Sequence, residues 1–254
     1  TLKPRAVVRT GVALGLAIAV KLYPALLLPA LLRRGGGRYG ALRLVAAAAG
    51  VVVLGYLPHV FAVGGHVLGY LPGYLHEENY DSGSRFLLLG LLGLGDSLTK
   101  ALAVVLVAAA LVVVGLRSAR GQDSPASGAL AVLAVVFLVV TPSQPWYALL
   151  LVCVSVLTER LEWIALAVAP YPLYVGALIH ENSLLVGRIS FGGAGIFALV
   201  VTFIRAMPAS QETKSLSPTD VQFPTSGECP IAPSHRPQGG ERLAQTPSKG
   251  AFHA

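Results

Sequence analysis

SLTKALAVVLVAAALVVVGL, residues 97–116, is the stretch whose reading decides the fold. As an α-helix these residues, with Lys100 their single charge, reach about 30 Å at 1.5 Å per residue, the thickness of a bilayer's hydrocarbon core. Asp96 stands where an N-cap belongs and Arg117 closes the run, so each charge opposes the helix end beside it. Working outward, Leu44–Ala62, Leu161–Leu178 and Ile189–Ile204 read as further spans of the same kind. The chain as a whole is 54 % hydrophobic and 12 % charged with a mean hydropathy of +0.69, too apolar to hide in one soluble core. The expected fold class is all-α: a polytopic integral membrane helical bundle.

Charge sorts by side. With alternate connections assigned to alternate faces, Arg33, Arg34, Arg38, Arg43, Arg117, Arg120, Arg160 and Arg205 fall together, which marks that face as cytoplasmic. The other face holds Arg85, Lys100 and Arg188, with His59, His66, His76, His180, Glu77, Glu78, Asp81 and Glu181. The expected location is therefore the cell (plasma) membrane, multi-pass, with any active face extracytoplasmic. A net charge of +7 is explained by these juxtamembrane loops and anionic lipid, and no nucleic-acid partner is expected because no aromatics interleave the basic residues.

Two hydrophobic runs are broken. Ala129–Leu157 is interrupted at Thr141-Pro142-Ser143-Gln144-Pro145, leaving two pieces of roughly 12 residues, each too short to cross. The turn then lies against protein or a water-filled cavity, or else forms a plain interfacial hairpin with Trp146 and Tyr147 as belt residues. Val7–Leu32 contains Lys21, Pro24 and Pro29, and here a re-entrant hairpin turning near Lys21 competes with one kinked span.

Residues 1–206 are expected to be the membrane domain. Residues 207–254, with seven prolines and few large apolar side chains, are expected to form a disordered cytoplasmic tail. Cys153 and Cys229 have neither disulfide logic nor metal spacing, and no cofactor is indicated. The chain opens at Thr1 without a signal-peptide pattern, which reads as a fragment lacking its N-terminal part.

Three sets of residues carry candidate chemistry. Lys21, within Ala17-Ile18-Ala19-Val20-Lys21-Leu22-Tyr23-Pro24, places an ammonium where it needs a partner or a cavity, and a phosphate would serve; snorkelling to the interface is the competing role. The loop Gly69–Arg85 offers Tyr74 to stack on a sugar, Glu78 and Asp81 to bond hydroxyls, and Arg85 to fork onto phosphate, though a solvated loop has a similar composition. Gln144 and Trp146 stand at the broken turn, where exposed backbone groups bind polar ligands. His180, Glu181 and Asn182 form a weaker set.

Taken together, Lys21-Leu22-Tyr23-Pro24 with Leu28-Pro29 and a basic turn, the loop ending Asp81-Ser82-Gly83-Ser84-Arg85, and Gln144-Pro145-Trp146-Tyr147 resemble the C-terminal part of a bacterial membrane glycosyltransferase. The family is glycosyltransferase family 87 of the C-type superfamily, which includes polyprenol-phosphate-mannose-dependent mannosyltransferases, and the likeness spans roughly residues 6–206. It implies transfer of a hexose, mannose foremost, from a polyprenyl-phosphate donor to an extracytoplasmic glycolipid or glycan acceptor, with inversion at the anomeric centre and membrane lipid as surroundings. It further implies Lys21 and Arg85 at the donor phosphate, and Tyr23, Tyr74, Gln144 and Trp146 among the substrate contacts with Glu78 and Asp81. The superfamily's catalytic acid belongs to a first extracytoplasmic loop expected upstream of Thr1, so the catalytic residue is unassigned and this polypeptide alone is expected to be inactive. Two rival classes are a transporter or lipid-handling protein, which gives flux without a covalent product, and a structural subunit without turnover.

Overall fold

The computed structural model describes residues 3–32, 36–69, 71–77, 80, 85–179 and 183–207, with the backbone alone of Leu68, Pro72, Tyr74, Ala177 and Ser183. The chain divides into two units, Thr1–Pro208 and Ala209–Ala254, and the second lies outside the described residues. The described residues are helical and contain no strand. In order they form α1 (Pro4–Val20), α2 (Leu28–Leu31), α3 (Arg38–Val63), α4 (Leu71–Glu77) and α5 (Asp96–Arg120). There follow α6 (Pro125–Val140), α7 (Ala148–Leu157), α8 (Ile164–Val168), α9 (Pro170–Leu178) and α10 (Ser183–Ala206), with short 3-10 turns between several of them.

Among the described residues three helical stretches are long and apolar enough to cross a membrane: Arg38–Val67, Asp96–Arg120 and Leu184–Ala206. Their outer faces fit lipid and not water: Val53, Leu54 and Phe61 on α3 and Leu98, Val104 and Val112 on α5 are all more than half exposed. The fold is an all-α bundle of the membrane type.

The question left open for residues 7–32 is answered by glycines. A Cβ on Gly11 would stand 2.5 Å from the carbonyl oxygen of Leu44, and one on Gly15 2.6 Å from that of Ala48. Both contacts advance in the same direction, so α1 and α3 run parallel and their backbones touch, as small residues permit in lipid. Two parallel helices joined in sequence require the chain to come back between them. It does so through a 3-10 turn at Tyr23–Leu27 and the single turn of α2. The descent ends where Ala30 accepts a 3.2 Å hydrogen bond from the hydroxyl of Ser118, near the Arg117 end of α5. Val7–Leu32 is thus a re-entrant hairpin with Lys21 at its turn.

α6 is the axis of the core. Leu133 on α6, Leu151 on α7, Leu166 on α8 and Phe191 on α10 are fully buried together. α5 packs close to the start of α6 because Gly128 leaves room for Val114 and Ala30. At the basic end Arg117 forks onto Asp123 at 2.6 and 2.9 Å. That hydrogen bond, ahead of the opposing effect of burial, holds the Asp123 carboxyl below its usual range. Glu162, 1 % exposed at its side chain, lies 2.6 Å from Arg160 and 3.0 Å from Arg205.

Several sequence expectations change. Asp96 is the first residue of α5 and not its cap, since Gly95 takes the extended cap position; its charge still sits in the first turn. The broken run gives pieces of 16 and 10 residues, because Ser124 caps α6 at its Ser127 amide and Pro125 starts it early, while the 3-10 turn Pro145–Tyr147 shortens α7. Leu161–Leu178 is not one helix: Pro170, whose ring cannot continue the α8 ladder, begins α9 instead.

Candidate functional site

The hairpin turn sets the site. α1 stops at Lys21, which takes an extended conformation (φ −147°, ψ 134°) and gives its backbone N–H to the Ala17 carbonyl. Pro24 then enforces the tight turn that follows. This leaves the Lys21 side chain at the rim of a cavity of about 660 Å³, the size of an ordinary ligand pocket. Its walls are mainly apolar, from Leu71 and Leu75 of α4 and Val136 and Val140 of α6, and four tyrosines, Tyr23, Tyr56, Tyr80 and Tyr147, also line it.

Lys21 Nζ stands 5.0 Å from the centroid of the Tyr147 ring, within cation–π range. Tyr23 meets the same ring edge to face at 5.5 Å and 81°. One aromatic therefore fixes both the ammonium and its neighbouring tyrosine. Across the cavity, Tyr80 has Arg85 Cζ 5.6 Å from its ring centroid and packs edge to face on Phe86 at 6.2 Å. Arg85 itself is tied to the end of α6, because its carbonyl accepts the Thr141 hydroxyl at 2.7 Å. The same hydroxyl accepts the Leu87 N–H at 3.2 Å, and the Leu87 carbonyl takes a hydrogen bond from Arg188 Nε at 3.3 Å.

The start of the broken turn is buried against protein, with Thr141 fully enclosed and Pro142 lining the cavity, while residues 143–145 are half-buried. Thr141 adopts a left-handed conformation (φ 44°), unusual for a β-branched residue, and its two hydrogen bonds to the 85–87 segment hold it there.

Of the residues singled out from sequence, Lys21 and Tyr23 line the cavity, whereas Arg85 does not line it but lies against Tyr80, which does. Gln144 and Trp146 do not line it; Trp146 is 47 % exposed and packs on Tyr174 of α9 with ring centroids 6.3 Å apart. The Tyr74 backbone belongs to α4, whereas its side chain, Glu78, Asp81, His180, Glu181 and Asn182 lie outside the described residues. Sequence reasoning did not single out Tyr56, covered Tyr80 only as part of the loop 69–85, and left Tyr147 between a belt residue and a member of the broken-turn set. A usable signal existed for Tyr56, which belongs to the repeated Gly-Tyr-Leu-Pro (55–58 and 69–72): Tyr56 of one copy and Leu71 of the other both line the cavity.

The described residues thus form an all-α bundle of the membrane type in which a re-entrant hairpin sets a cation beside a tyrosine-lined, mainly apolar cavity. The model of glycosyltransferase family 87 matches residues 1–142, more than half of the chain, and the chain belongs to that family. The match includes Lys21, Tyr23, Tyr56, Tyr80 and Arg85 and ends before Gln144 and Trp146, short of the span to residue 206 read from the motifs. No curated protein and no solved structure matches this chain.

Proposed function

We propose that this glycosyltransferase moves a hexose, mannose foremost, from a polyprenyl-phosphate donor to a glycolipid or glycan acceptor on the extracytoplasmic side of the cell membrane. The observation that carries the reading is the Lys21 ammonium at the rim of an aliphatic cavity in a chain of this family. A polyprenyl-phosphate sugar has the matching parts: an isoprenoid tail for the aliphatic walls, a phosphate for the cation, and sugar hydroxyls for Tyr23, Tyr56, Tyr80 and Tyr147.

In the reaction the acceptor oxygen attacks the anomeric carbon from the face opposite the leaving group, with inversion. The bond from that carbon to the phosphate oxygen breaks, and the acceptor proton passes to a general base. Polyprenyl phosphate departs with an additional negative charge, which Lys21 and Arg85 stabilise as it develops. Tyr74, Glu78, Asp81, Gln144 and Trp146 are proposed as sugar and acceptor contacts. Residues 207–254 are proposed as a cytoplasmic tail beyond a membrane domain of residues 1–206.

The test uses the full chain in detergent and a photoreactive polyprenyl-phosphate mannose. Lys21→Met is expected to weaken capture about tenfold, the scale of one charge-assisted hydrogen bond, and Lys21→Arg to retain most of it. Equal capture by wild type and Lys21→Met would remove the donor site. A glucose-bearing donor captured equally well would remove the preference for mannose.

A further inference from the structure

A second cavity opens at the other end of the hairpin. It measures about 600 Å³ and is lined by Pro4, Arg5, Val8, Arg9 and Arg43. Arg5 and Arg9 are one turn apart on α1, and the parallel contact of Gly11 with Leu44 on α3 brings Arg43 beside them. All three are exposed, and no hydrogen bond or ion pair joins them to another described residue.

Three like charges in one cavity repel, and neither helix supplies relief. The sequence holds no Asp or Glu before Glu77. At the same end Asp123 is engaged by Arg117 and Glu162 by Arg160 and Arg205, and the exposed Glu159 makes no hydrogen bond or ion pair with Arg5, Arg9 or Arg43. Among the described residues no carboxylate meets the three cavity arginines, which suits an anion from outside those residues, and arginine forks suit phosphate.

The surface leading away from the cavity identifies the source of that phosphate. Val8, Val12 and Leu16 are 41, 37 and 57 % exposed and recur every fourth residue. They form an apolar stripe that continues from the arginines along α1 toward the membrane interior. A headgroup at the arginines would have its acyl chains on that stripe. We propose that this cavity binds an anionic phospholipid of the leaflet at the basic end, which screens Arg5, Arg9 and Arg43 and fastens α1 to α3. This site is separate from the donor cavity and independent of which sugar is transferred.

The experiment measures thermal unfolding of the full chain in lipid-free micelles. Titrants are dioleoyl phosphatidylglycerol, dioleoyl phosphatidylcholine and inorganic phosphate. Phosphatidylglycerol is expected to raise the midpoint saturably. The other two titrants, at matched concentration, are expected to do so at no more than a third of that size. The triple variant R5Q/R9Q/R43Q should lose the response, and R43Q alone should raise the half-saturating concentration at least threefold, so the proposal stays testable if the triple variant does not fold. R120Q, altering an exposed arginine outside the cavity, should respond as wild type. An R43Q titration that overlays wild type, or phosphatidylcholine as effective as phosphatidylglycerol, overturns the proposal. Full stabilisation by inorganic phosphate assigns the site to a free anion and overturns the lipid.

Discussion

Thr141 gives its hydroxyl hydrogen to the carbonyl of Arg85 at 2.7 Å, joining the end of α6 to a residue 56 positions earlier. The bond places Arg85 where its guanidinium meets the Tyr80 ring, and so connects the broken turn to the cavity wall. Because the same oxygen accepts from Leu87, removing it strands two backbone groups at once.

Thr141→Val, nearly the same shape without the hydroxyl, is expected to destabilise the chain by about 1–3 kcal/mol, the scale of leaving buried polar groups unmade. Thr141→Ser should lose far less. Unfolding midpoints of the two variants in the same detergent check this, and equal midpoints would show that the bond contributes nothing.

Tyr147 holds Lys21 and Tyr23 together through one ring. Tyr147→Leu should weaken capture of the polyprenyl-phosphate probe about two- to thirtyfold, the range spanned by cation–π contacts of about 0.5–2 kcal/mol. Tyr147→Phe keeps the ring and should lose clearly less than Tyr147→Leu, by no more than the one hydrogen bond its hydroxyl gives the sugar. A loss in the Phe variant as large as in the Leu variant would place the effect in the hydroxyl instead.

Gly15 and Gly50 make a matched pair. A side chain at Gly15 collides with the Ala48 carbonyl, whereas one at Gly50 meets open space. Gly15→Leu is expected to part α1 from α3 and cost at least about 1–3 kcal/mol, while Gly50→Leu should change the midpoint little. Similar losses at both positions would contradict the parallel packing.

Glu162 separates two arginines at the basic end. Glu162→Gln is expected to destabilise by about 1–3 kcal/mol, below the figure for a fully enclosed pair because Arg160 and Arg205 are 36 and 51 % exposed. The double variant Glu162→Leu/Arg205→Leu should recover part of the loss, and a double variant worse than the sum would count against an ion pair.

The proposed orientation places His66 outside and Gln122 inside. In a background with Cys153 and Cys229 replaced by Ala, an impermeant thiol label added to intact cells should reach a cysteine at residue 66 and miss one at residue 122. The opposite pattern would reverse the active face.

What the sequence revealed depended on how local the cause was. α5 was legible because its length, Asp96 and Arg117 lie within one run, and the error of one residue at Asp96 arose because Gly95 adopts the cap conformation. The direction of Val7–Leu32 was not legible, since Lys21 and Pro24 suit a kink as well as a turn; the decision comes from Gly11 and Gly15 against a helix more than 30 residues later. Pro170 was visible but was read as part of one span, because the apolar composition continues on both sides of it. In the site, Lys21 announced itself as a charge in an apolar run. Tyr56 did not, since a tyrosine near a membrane boundary looks the same whether it faces lipid or a chamber that distant segments enclose, and Tyr80 stood out only as part of the loop 69–85.

α1 is a spacer of fixed rise between the membrane boundary and the Lys21 ammonium. Deleting one residue between Gly15 and Lys21 would lower that ammonium by about 1.5 Å and swing it about 100° around the helix, away from Tyr147. Substitutions along this stretch change what the helix touches, but insertions and deletions change where the cation points, so variation in length should be far less tolerated there than variation in identity.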